Sequence, residues 1–237
     1  MLSGGVDSVA VLKRLLEETD EKIYAHHIHL KNNEGINNFK RYKAEALVLR
    51  KIIPYMKKAF RDFHYTESTM DVRQIENLRS EIFNKEDNEL DGKFFSIKDG
   101  VYYRMIGGLL TGTTNSSYMY TGDMHPPPHR DIKGWRNEFY NLDLIFDGSR
   151  GSHKVEIKRP FWDKYSKREN IEYLGKELMT MVWYCRDPIE KDGEILSCNT
   201  NLGISTPAID AETGAIYKCR SCTDVSNALI EMEKEYA

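Results

Sequence analysis

The chain has 237 residues, of which 40% are hydrophobic and 30% charged, and its net charge is −3. This size and composition are typical of one substantial α/β core with a small appendage. No apolar run approaches the length of a membrane span, no signal-peptide pattern opens the chain and no strong basic charge favours nucleic acid, so we expect a cytoplasmic protein without membrane or direct nucleic-acid contacts.

The first predicted element is a polar loop, Ser-Gly-Gly-Val-Asp-Ser at residues 3–8, which leads into a helix. Gly4 and Gly5 allow positive φ and let a ligand approach the backbone amides closely, because neither has a Cβ. Apolar residues recur at helical spacing after the loop, so the loop lies at a helix N-terminus, where the amides and the dipole favour an anion. Asp7 is suited to helix entry or to a contact with Mg²⁺ and phosphate. A Gly-Gly turn before an ordinary amphipathic helix is the alternative.

Strands and helices alternate after this loop. Residues 22–30 predict a strand, a long helix begins at about residue 39, and residues 63–69 predict the next strand. Pro54 is expected to end or kink the helix between them. This order is typical of a parallel sheet that helices cover on both faces.

Histidines occur at two places that could form part of a site. His27 and His29 alternate on one face of the first predicted strand, a spacing that could bind a metal, but buried core or rim positions are the favoured interpretation. His125 and His129 flank three consecutive prolines in a predicted loop after a strand. Open α/β sheets bind ligands at this edge, so we expect these two histidines to line the mouth of the site.

The middle of the chain predicts an insertion and then further alternation. Residues 71–100 are charged and predict an insertion with a short helix at about 71–84. The later predicted elements are a helix at 102–110, a strand at 118–121, a helical segment at 139–146, a strand at 155–159 and a helix within 163–181. The last helix starts near Ser166, with Glu169 completing a capping box.

All four cysteines lie in the last quarter of the chain, at Cys185, Cys198, Cys219 and Cys222. Structural Zn²⁺ sites prefer four tetrahedral thiolates, and the CxxC pair at Cys219 and Cys222 supplies two of them. A structural zinc site is therefore the favoured interpretation, with Cys198 the least regular ligand in spacing. Two disulfides, a redox CxxC or scattered buried thiols are the alternatives.

The loop at residues 3–8 resembles the phosphate loop of the N-type ATP pyrophosphatases, whose signature is Ser-Gly-Gly-x-Asp-Ser. It differs from the kinase P-loop, because no Gly-Lys-Ser/Thr follows at the required spacing. The resemblance implies a parallel-sheet, Rossmann-like α/β domain of the adenine nucleotide α-hydrolase type at 1–182 and a zinc module with a C-terminal helix at 183–237. Only Met1 and Leu2 precede the loop, where the family has a buried strand. Either the chain lacks most of that strand, so that the first strand is short or missing, or this sequence starts late.

The loop and the cysteine module together resemble the 7-cyano-7-deazaguanine synthases. Four further segments match in order: Val101–Arg104, which opens a helix; Tyr120–Asp123, which closes the nucleotide site; Trp135–Phe139, the substrate segment; and Arg159–Lys167, whose lysine faces the phosphates. Met105 and Trp135 stand where the family has Asn and Cys. The resemblance implies that ATP drives the conversion of 7-carboxy-7-deazaguanine and ammonia into a nitrile, with Mg²⁺ and Zn²⁺ as cofactors and a homodimer as the assembly.

The resemblance also implies a role for each matching residue. ATP would be bound by Ser3, Gly4, Gly5, Val6, Asp7 and Ser8; catalysis would use Asp7, Arg104 and Lys167; the substrate would contact Asp123, Arg136, Glu138 and Phe139; zinc would take Cys185, Cys198, Cys219 and Cys222. Asp7 or Asp123 would hold Mg²⁺. For Arg104 and Lys167 the alternative is an ordinary surface cation.

Three other functions are compatible with the same loop. One is a tRNA-thiolating pyrophosphatase, which the chain's charge disfavours because a basic RNA-binding region is expected there. Another is a relative that adenylates a different carboxylate, including one on a protein. The third is a non-catalytic nucleotide-binding subunit, against which the intact Ser-Gly-Gly-Val-Asp-Ser string argues.

Overall fold

The computed structural model describes eleven stretches of the chain: residues 1–31, 41–72, 88–122, 143–152, 154–160, 167–185, 189–191, 194–197, 208–209, 216–217 and 220–235. The chain divides into two compact units. The loop unit comprises Leu2–Arg73 and Tyr165–Ala237, and the middle unit comprises Met1 and Gln74–Lys164. The predicted domain boundary between residues 182 and 183 is untested and stays a prediction.

Helices and short strands alternate through both units. The helices are α1 Val6–Glu18, α2 Arg41–Ala59, α3 Asn88–Thr114, α4 Lys167–Met179 and α5 Arg220–Glu235. The strands are β1 Tyr24–Lys31, β2 His64–Asp71, β3 Tyr118–Tyr120, β4 Glu156–Lys158, β5 Ile189–Lys191, β6 Glu194–Leu196, β7 Ala208–Ile209 and β8 Ile216–Tyr217. A further helical segment covers 143–149. The chain is therefore a mixed α/β protein, which confirms the predicted class. None of the described helices combines the length and the apolar character needed to cross a membrane.

The loop unit is built on β1 and β2, which pair in parallel from Tyr24 opposite His64 to Lys31 opposite Asp71. The two strands predicted at 22–30 and 63–69 are therefore confirmed. The backbone N–H of Leu2 donates to the carbonyl of His26 at 2.8 Å, so the residue just before the loop at residues 3–8 runs beside β1. Buried apolar side chains from α1, β1 and α2 form the core beneath this pair: Val9, Ala10, Leu12, Ile28, Leu49, Ile52 and Met56.

Pro54 lies inside α2, which continues to Ala59. Pro54 was expected to end or kink the helix, with a further turn to about residue 60, and the structure shows that the helix does not end there. A proline inside a helix loses one backbone hydrogen bond and crowds the preceding turn. The neighbouring Ile52 and Met56 are completely buried, and tertiary packing of this kind outweighs a local helix-breaking preference.

The middle unit contains the parallel pair β3 and β4, so the strands predicted at 118–121 and 155–159 are confirmed. Helix α3 begins at Asn88, well before the predicted start at 102, and Val101 therefore does not open a helix as the family resemblance implied. The sequence offers a reason: Leu90, Phe94 and Ile97 repeat at intervals of four and three and extend the apolar pattern of the helix toward its N-terminus.

Other predictions fall partly outside the described residues. The expected short helix at 71–84 is wrong at its start, because Asp71 ends β2, and residues 73–87 lie outside the description. The helical segment at 143–149 overlaps the one predicted at 139–146. Helix α4 begins at Lys167, as expected from the predicted start near Ser166. Ser166, the first residue of the expected capping box, lies outside the described residues.

Candidate functional site

The loop at residues 3–8 makes a sharp turn into α1 that depends on glycine. Gly4 has φ of +78°, and a Cβ added there would lie 3.0 Å from Val48 Cγ2 and 3.3 Å from Leu49 Cγ. Gly5 is the N-cap of α1, with extended φ of −81° and ψ of 162°. Because Gly5 has no side chain, it cannot cap the first amides of the helix, and these are the groups that anions contact at helix N-termini.

Two hydroxyl groups meet inside this loop. Ser3 Oγ and Ser8 Oγ lie 3.0 Å apart, and Ser8 Oγ also donates to the carbonyl of Gly5 at 3.1 Å. The backbone N–H of Ser3 donates to Ser8 Oγ at 3.2 Å, and that of Gly5 donates to Ser3 Oγ at 3.3 Å. The two serines therefore close the loop on itself and place two hydroxyls beside the start of α1.

The carboxylate of Asp7, on the first turn of α1, is held from α4. Lys167 Nζ donates to Asp7 Oδ2, and Asn170 Nδ2 donates to Asp7 Oδ1 at 2.9 Å. The Asp7 and Lys167 side chains are 28% and 26% exposed, so solvent and small ligands can reach both. The structure therefore brings together two of the three predicted catalytic residues and places them at the entry to the loop.

Helices α1 and α4 also contact each other farther along their lengths. Lys13 Nζ donates to the carbonyl of Tyr173 at 2.9 Å and lies 3.9 Å from the centre of its ring. The Tyr173 hydroxyl donates to Glu17 at 2.5 Å. Burial, reinforced by that hydrogen bond to Glu17, raises the pKa of Tyr173, so its hydroxyl keeps its proton. The helix that carries Lys167 is thus anchored to the helix that carries Asp7.

His27 supports the loop from the side of β1. It is completely buried, and its Nδ1 lies 2.9 Å from the carbonyl oxygen of Leu2, the residue that precedes the loop. Burial lowers the pKa of His27 to about 4. The ring is therefore neutral at pH 7, and a neutral ring with its proton on Nδ1 donates to Leu2.

The neighbouring histidines also have partners on β2. His26 Nδ1 lies 2.8 Å from Thr66 Oγ1, and its Nε2 lies 2.9 Å from Ser68 Oγ. His29 Nε2 lies 2.9 Å from Glu67 Oε2 near the surface. The core interpretation of His27 and the rim interpretation of His29 are therefore confirmed.

Arg104 belongs to the middle unit and is only 4% exposed, so the surface-cation interpretation of this residue is wrong. Its Nε lies 3.6 Å from Asp143 Oδ1. Arg159 shares the same carboxylate, with one terminal nitrogen 2.5 Å from Oδ1 and 2.7 Å from Oδ2. The sequence did not predict that Asp143 pairs with Arg104 and Arg159. A buried arginine such as Arg104 needs a carboxylate partner, but the sequence does not show which carboxylate this is. The catalytic role of Arg104 stays a prediction.

The structure describes half of the predicted zinc ligands. Cys185 and Cys222 are both buried in the loop unit, and Cys222 Sγ lies 3.5 Å from Ser197 Oγ. Cys198 and Cys219 lie outside the described residues. Within the described part of the chain, no group of three or more His, Cys, Asp or Glu side chains is arranged to hold a metal. The zinc site therefore stays a prediction.

The predicted substrate residues are also outside the description. They are Asp123, Arg136, Glu138 and Phe139, together with His125 and His129 at the expected mouth of the site. Asn170 is the residue at the loop that the sequence analysis missed. A helix that starts near residue 167 places Asn170 on the same face as Lys167, one turn later, and this spacing was the available signal.

Comparison with known proteins gives no match: no family model fits the chain, and no curated protein is similar to it. The resemblance to the ATP pyrophosphatases therefore depends on the residues of the sequence motifs alone.

Proposed function

We propose that the protein is an ATP-dependent adenylating enzyme of the N-type ATP pyrophosphatase kind, similar to the 7-cyano-7-deazaguanine synthases and with their Rossmann-like α/β domain. The observation that carries the proposal is the loop at residues 3–8. It combines a positive φ at Gly4, two facing serine hydroxyls and an uncapped helix start with the adjacent pair of Asp7 and Lys167.

This arrangement suits a pyrophosphate group. The amides at the start of α1 and the hydroxyls of Ser3 and Ser8 are hydrogen-bond donors, and the helix dipole adds favourable potential for an anion. Lys167 supplies a positive charge from α4, where it can neutralise charge that develops as the bond between the α- and β-phosphates breaks. Arg104 is the second predicted cation for this purpose.

The donor atoms also fit the implied metal ions. Asp7 offers a partly exposed carboxylate, the kind of hard oxygen ligand that Mg²⁺ prefers. Bound Mg²⁺ would neutralise phosphate charge, and Asp7 is the described residue that would hold it. Cys185 and Cys222 are buried thiols in one unit, which suits two ligands of a structural Zn²⁺.

The proposed reaction needs two activations of one carbon atom. An oxygen of the 7-carboxy-7-deazaguanine carboxylate attacks the α-phosphorus of ATP and releases pyrophosphate, and ammonia then displaces AMP to give the amide. The amide oxygen attacks a second ATP and again releases pyrophosphate; loss of AMP and of the amide protons gives the nitrile. The protein's contribution is to position the reactants and stabilise the phosphate charge. The homodimer and the cytoplasmic location are part of the same proposal.

The proposal is tested by incubating the protein with ATP, Mg²⁺, ammonium and 7-carboxy-7-deazaguanine and identifying the products by mass spectrometry. We expect AMP, pyrophosphate and the nitrile. AMP and pyrophosphate without the nitrile would favour a relative that adenylates another acceptor. Formation of ADP, or no turnover of ATP, would overturn the assignment to this kind of enzyme.

A pair of lysine variants tests the site itself. Lys167 and Lys13 both link α1 to α4, but only Lys167 contacts Asp7 beside the loop. We expect Lys167→Met to lower the rate of AMP formation by about 100-fold or more, as removal of a preorganised charge donor does. Lys13→Met should keep the rate within a few fold of the unchanged protein. Equal losses in both variants would mean that Lys167 acts only by holding the two helices together.

A further inference from the structure

The two oxygens of Asp7 are held by different donors. Asn170 is 1% exposed, and its Nδ2 donates to Oδ1 at 2.9 Å. Lys167, three residues earlier on the same face of α4, donates to Oδ2. Helix α4 therefore contributes one donor to each oxygen of the carboxylate.

The two donor groups differ in charge and in the mobility of the side chains that carry them. The Asn170 amide is neutral, so its hydrogen bond fixes Oδ1 without cancelling the negative charge of Asp7. Lys167 does cancel that charge, but its ammonium group is partly exposed and ends a flexible four-carbon chain. The hydrogen bond from Asn170 is part-buried and comes from a side chain that is itself buried, whereas the flexible lysine side chain can reach another anion without any movement of α4.

We infer that Asn170 is a positioning residue for Asp7, while Lys167 exchanges partners when ligand binds. In this scheme Asn170 keeps Oδ1 in place, a divalent cation takes the position of Lys167 at Oδ2, and the lysine passes to the nucleotide phosphates. The inference rests on the proposed function, because it assumes that a metal–nucleotide complex binds at the loop. Groups that orient a metal ligand from behind affect metal affinity strongly even though they do not touch the metal.

The partner exchange explains why a lysine and an aspartate are paired beside an anion-binding loop. Without ligand, each neutralises the other at the entry to α1. With ligand, each meets a group of opposite charge, so no charge is left unpaired at either stage. Without Asn170, an Asp7 side chain released by the lysine would be free to change rotamer, and the cation would lose its ligand.

The test measures metal and nucleotide binding separately in the full-length protein. Mn²⁺ affinity is measured by electron paramagnetic resonance, and binding of α,β-methylene ATP is measured by calorimetry with EDTA or with Mn²⁺. We expect Asn170→Leu to weaken Mn²⁺ binding by about tenfold or more, while metal-free binding of the analogue stays within about twofold. Lys13→Met should match the unchanged protein in both assays.

A double-mutant cycle with Asp7→Asn separates positioning from a general structural effect. If Asn170 acts through Asp7, Asn170→Leu causes no further loss of Mn²⁺ affinity once Asp7 is replaced. Additive losses, or normal Mn²⁺ affinity in Asn170→Leu, would overturn the inference while leaving the proposed function intact. An unchanged protein that binds neither Mn²⁺ nor the analogue would overturn both. If Asn170→Leu does not fold, Asn170→Ser serves in its place, because its shorter hydroxyl withdraws the donor from Oδ1.

Discussion

The loop at residues 3–8 and helix α3 each contain two adjacent glycines, and the two pairs are required for different reasons. Position 4 requires glycine because its φ of +78° lies in the left-handed region, which residues with a Cβ rarely adopt. Gly108 has no positive φ, but a Cβ there would lie 2.8 Å from the carbonyl oxygen of Phe146 and 2.7 Å from Ser149 Cβ. Backbone conformation sets the requirement in the first pair, whereas close packing of a second segment against a helix sets it in the other.

The carboxylates of the two regions show a parallel difference. Asp7 takes one neutral donor and one partly exposed lysine, so its charge is available to a cation once the lysine moves. Asp143 instead meets two guanidinium groups, those of Arg104 and Arg159. Two fixed cations around one carboxylate favour a stable structural cluster, whereas the arrangement at Asp7 favours exchange. Ligand binding should therefore act on the loop region first.

The largest expected effect is a pH effect confined to the loop region. The pKa of His27 is lowered by burial from its ordinary value of 6.5 to about 4. The unfolded chain therefore takes up this proton at a higher pH than the folded chain does, so the stabilisation is complete above about pH 6.5 and is lost as the pH falls toward 4. The free energy of local unfolding around α1 and β1 should fall by up to about 3 kcal/mol.

Hydrogen exchange between pH 7 and pH 4 measures this effect amide by amide. Amides of α1 and β1 should lose protection in acid more steeply than those of α3. His27→Asn, which keeps a hydrogen-bond donor near the position of Nδ1 but does not titrate, should reduce that steepness. His26 contributes in the same direction, because burial also lowers its pKa. If the pH dependence of protection were unchanged in His27→Asn, His27 would not be the cause of the loss of protection in acid.

The second expected effect is a packing defect in α3. Gly108→Ala places a methyl group against backbone atoms of Phe146 and Arg150. Backbone atoms cannot move aside as readily as the end of a flexible side chain can. We expect a loss of about 2 kcal/mol in unfolding free energy, since overpacking typically costs about 1–3 kcal/mol and alanine returns part of this through helix propensity. Denaturant unfolding measures it.

Gly112→Ala is the matched control for this variant. A Cβ at Gly112 would lie 3.5 Å from the Arg150 carbonyl oxygen, an ordinary contact distance. This variant should be neutral or more stable by about 0.5–1 kcal/mol, because alanine favours helix over glycine. If Gly108→Ala and Gly112→Ala were equally stable, close packing at Gly108 would not be what distinguishes α3 from the loop.

The features that could be predicted from the sequence are those formed by residues close together in the chain. The proposed phosphate-binding loop is local: Ser3, the two glycines, Asp7 and Ser8 lie within six residues, so their pattern is visible without a structure. The strands β1 to β4 and the parallel pairing follow from short apolar runs that alternate with helical periodicity. These predictions are confirmed by the α/β architecture and by the two parallel pairs.

Contacts between distant segments were less predictable. Asn170 contacts Asp7 across more than 160 positions of sequence. Arg159 contacts Asp143 because the end of β4 lies beside the start of the helical segment at 143–149. Pro54 does not end α2, because burial of Ile52 and Met56 outweighs a local helix-breaking preference. The start of α3 was misplaced because the charged residues 71–100 were interpreted as an insertion, although α3 begins at Asn88.

Among the destabilising substitutions, Gly4→Ala has the smallest expected effect on stability and the effect most specific for ligand binding. A left-handed conformation costs an alanine roughly 1–2 kcal/mol, and the added methyl would also approach Val48, a side chain that can yield slightly. We expect a stability loss of about 1 kcal/mol in denaturant unfolding but a much larger loss, about tenfold or more, in affinity for α,β-methylene ATP, because the loop amides would turn away from the ligand. Gly108→Ala should show the reverse, with lower stability and nearly normal affinity for the analogue. If Gly4→Ala binds the analogue normally, the positive φ at Gly4 serves only the fold. Gly4 and Gly108 would then both be required for stability alone.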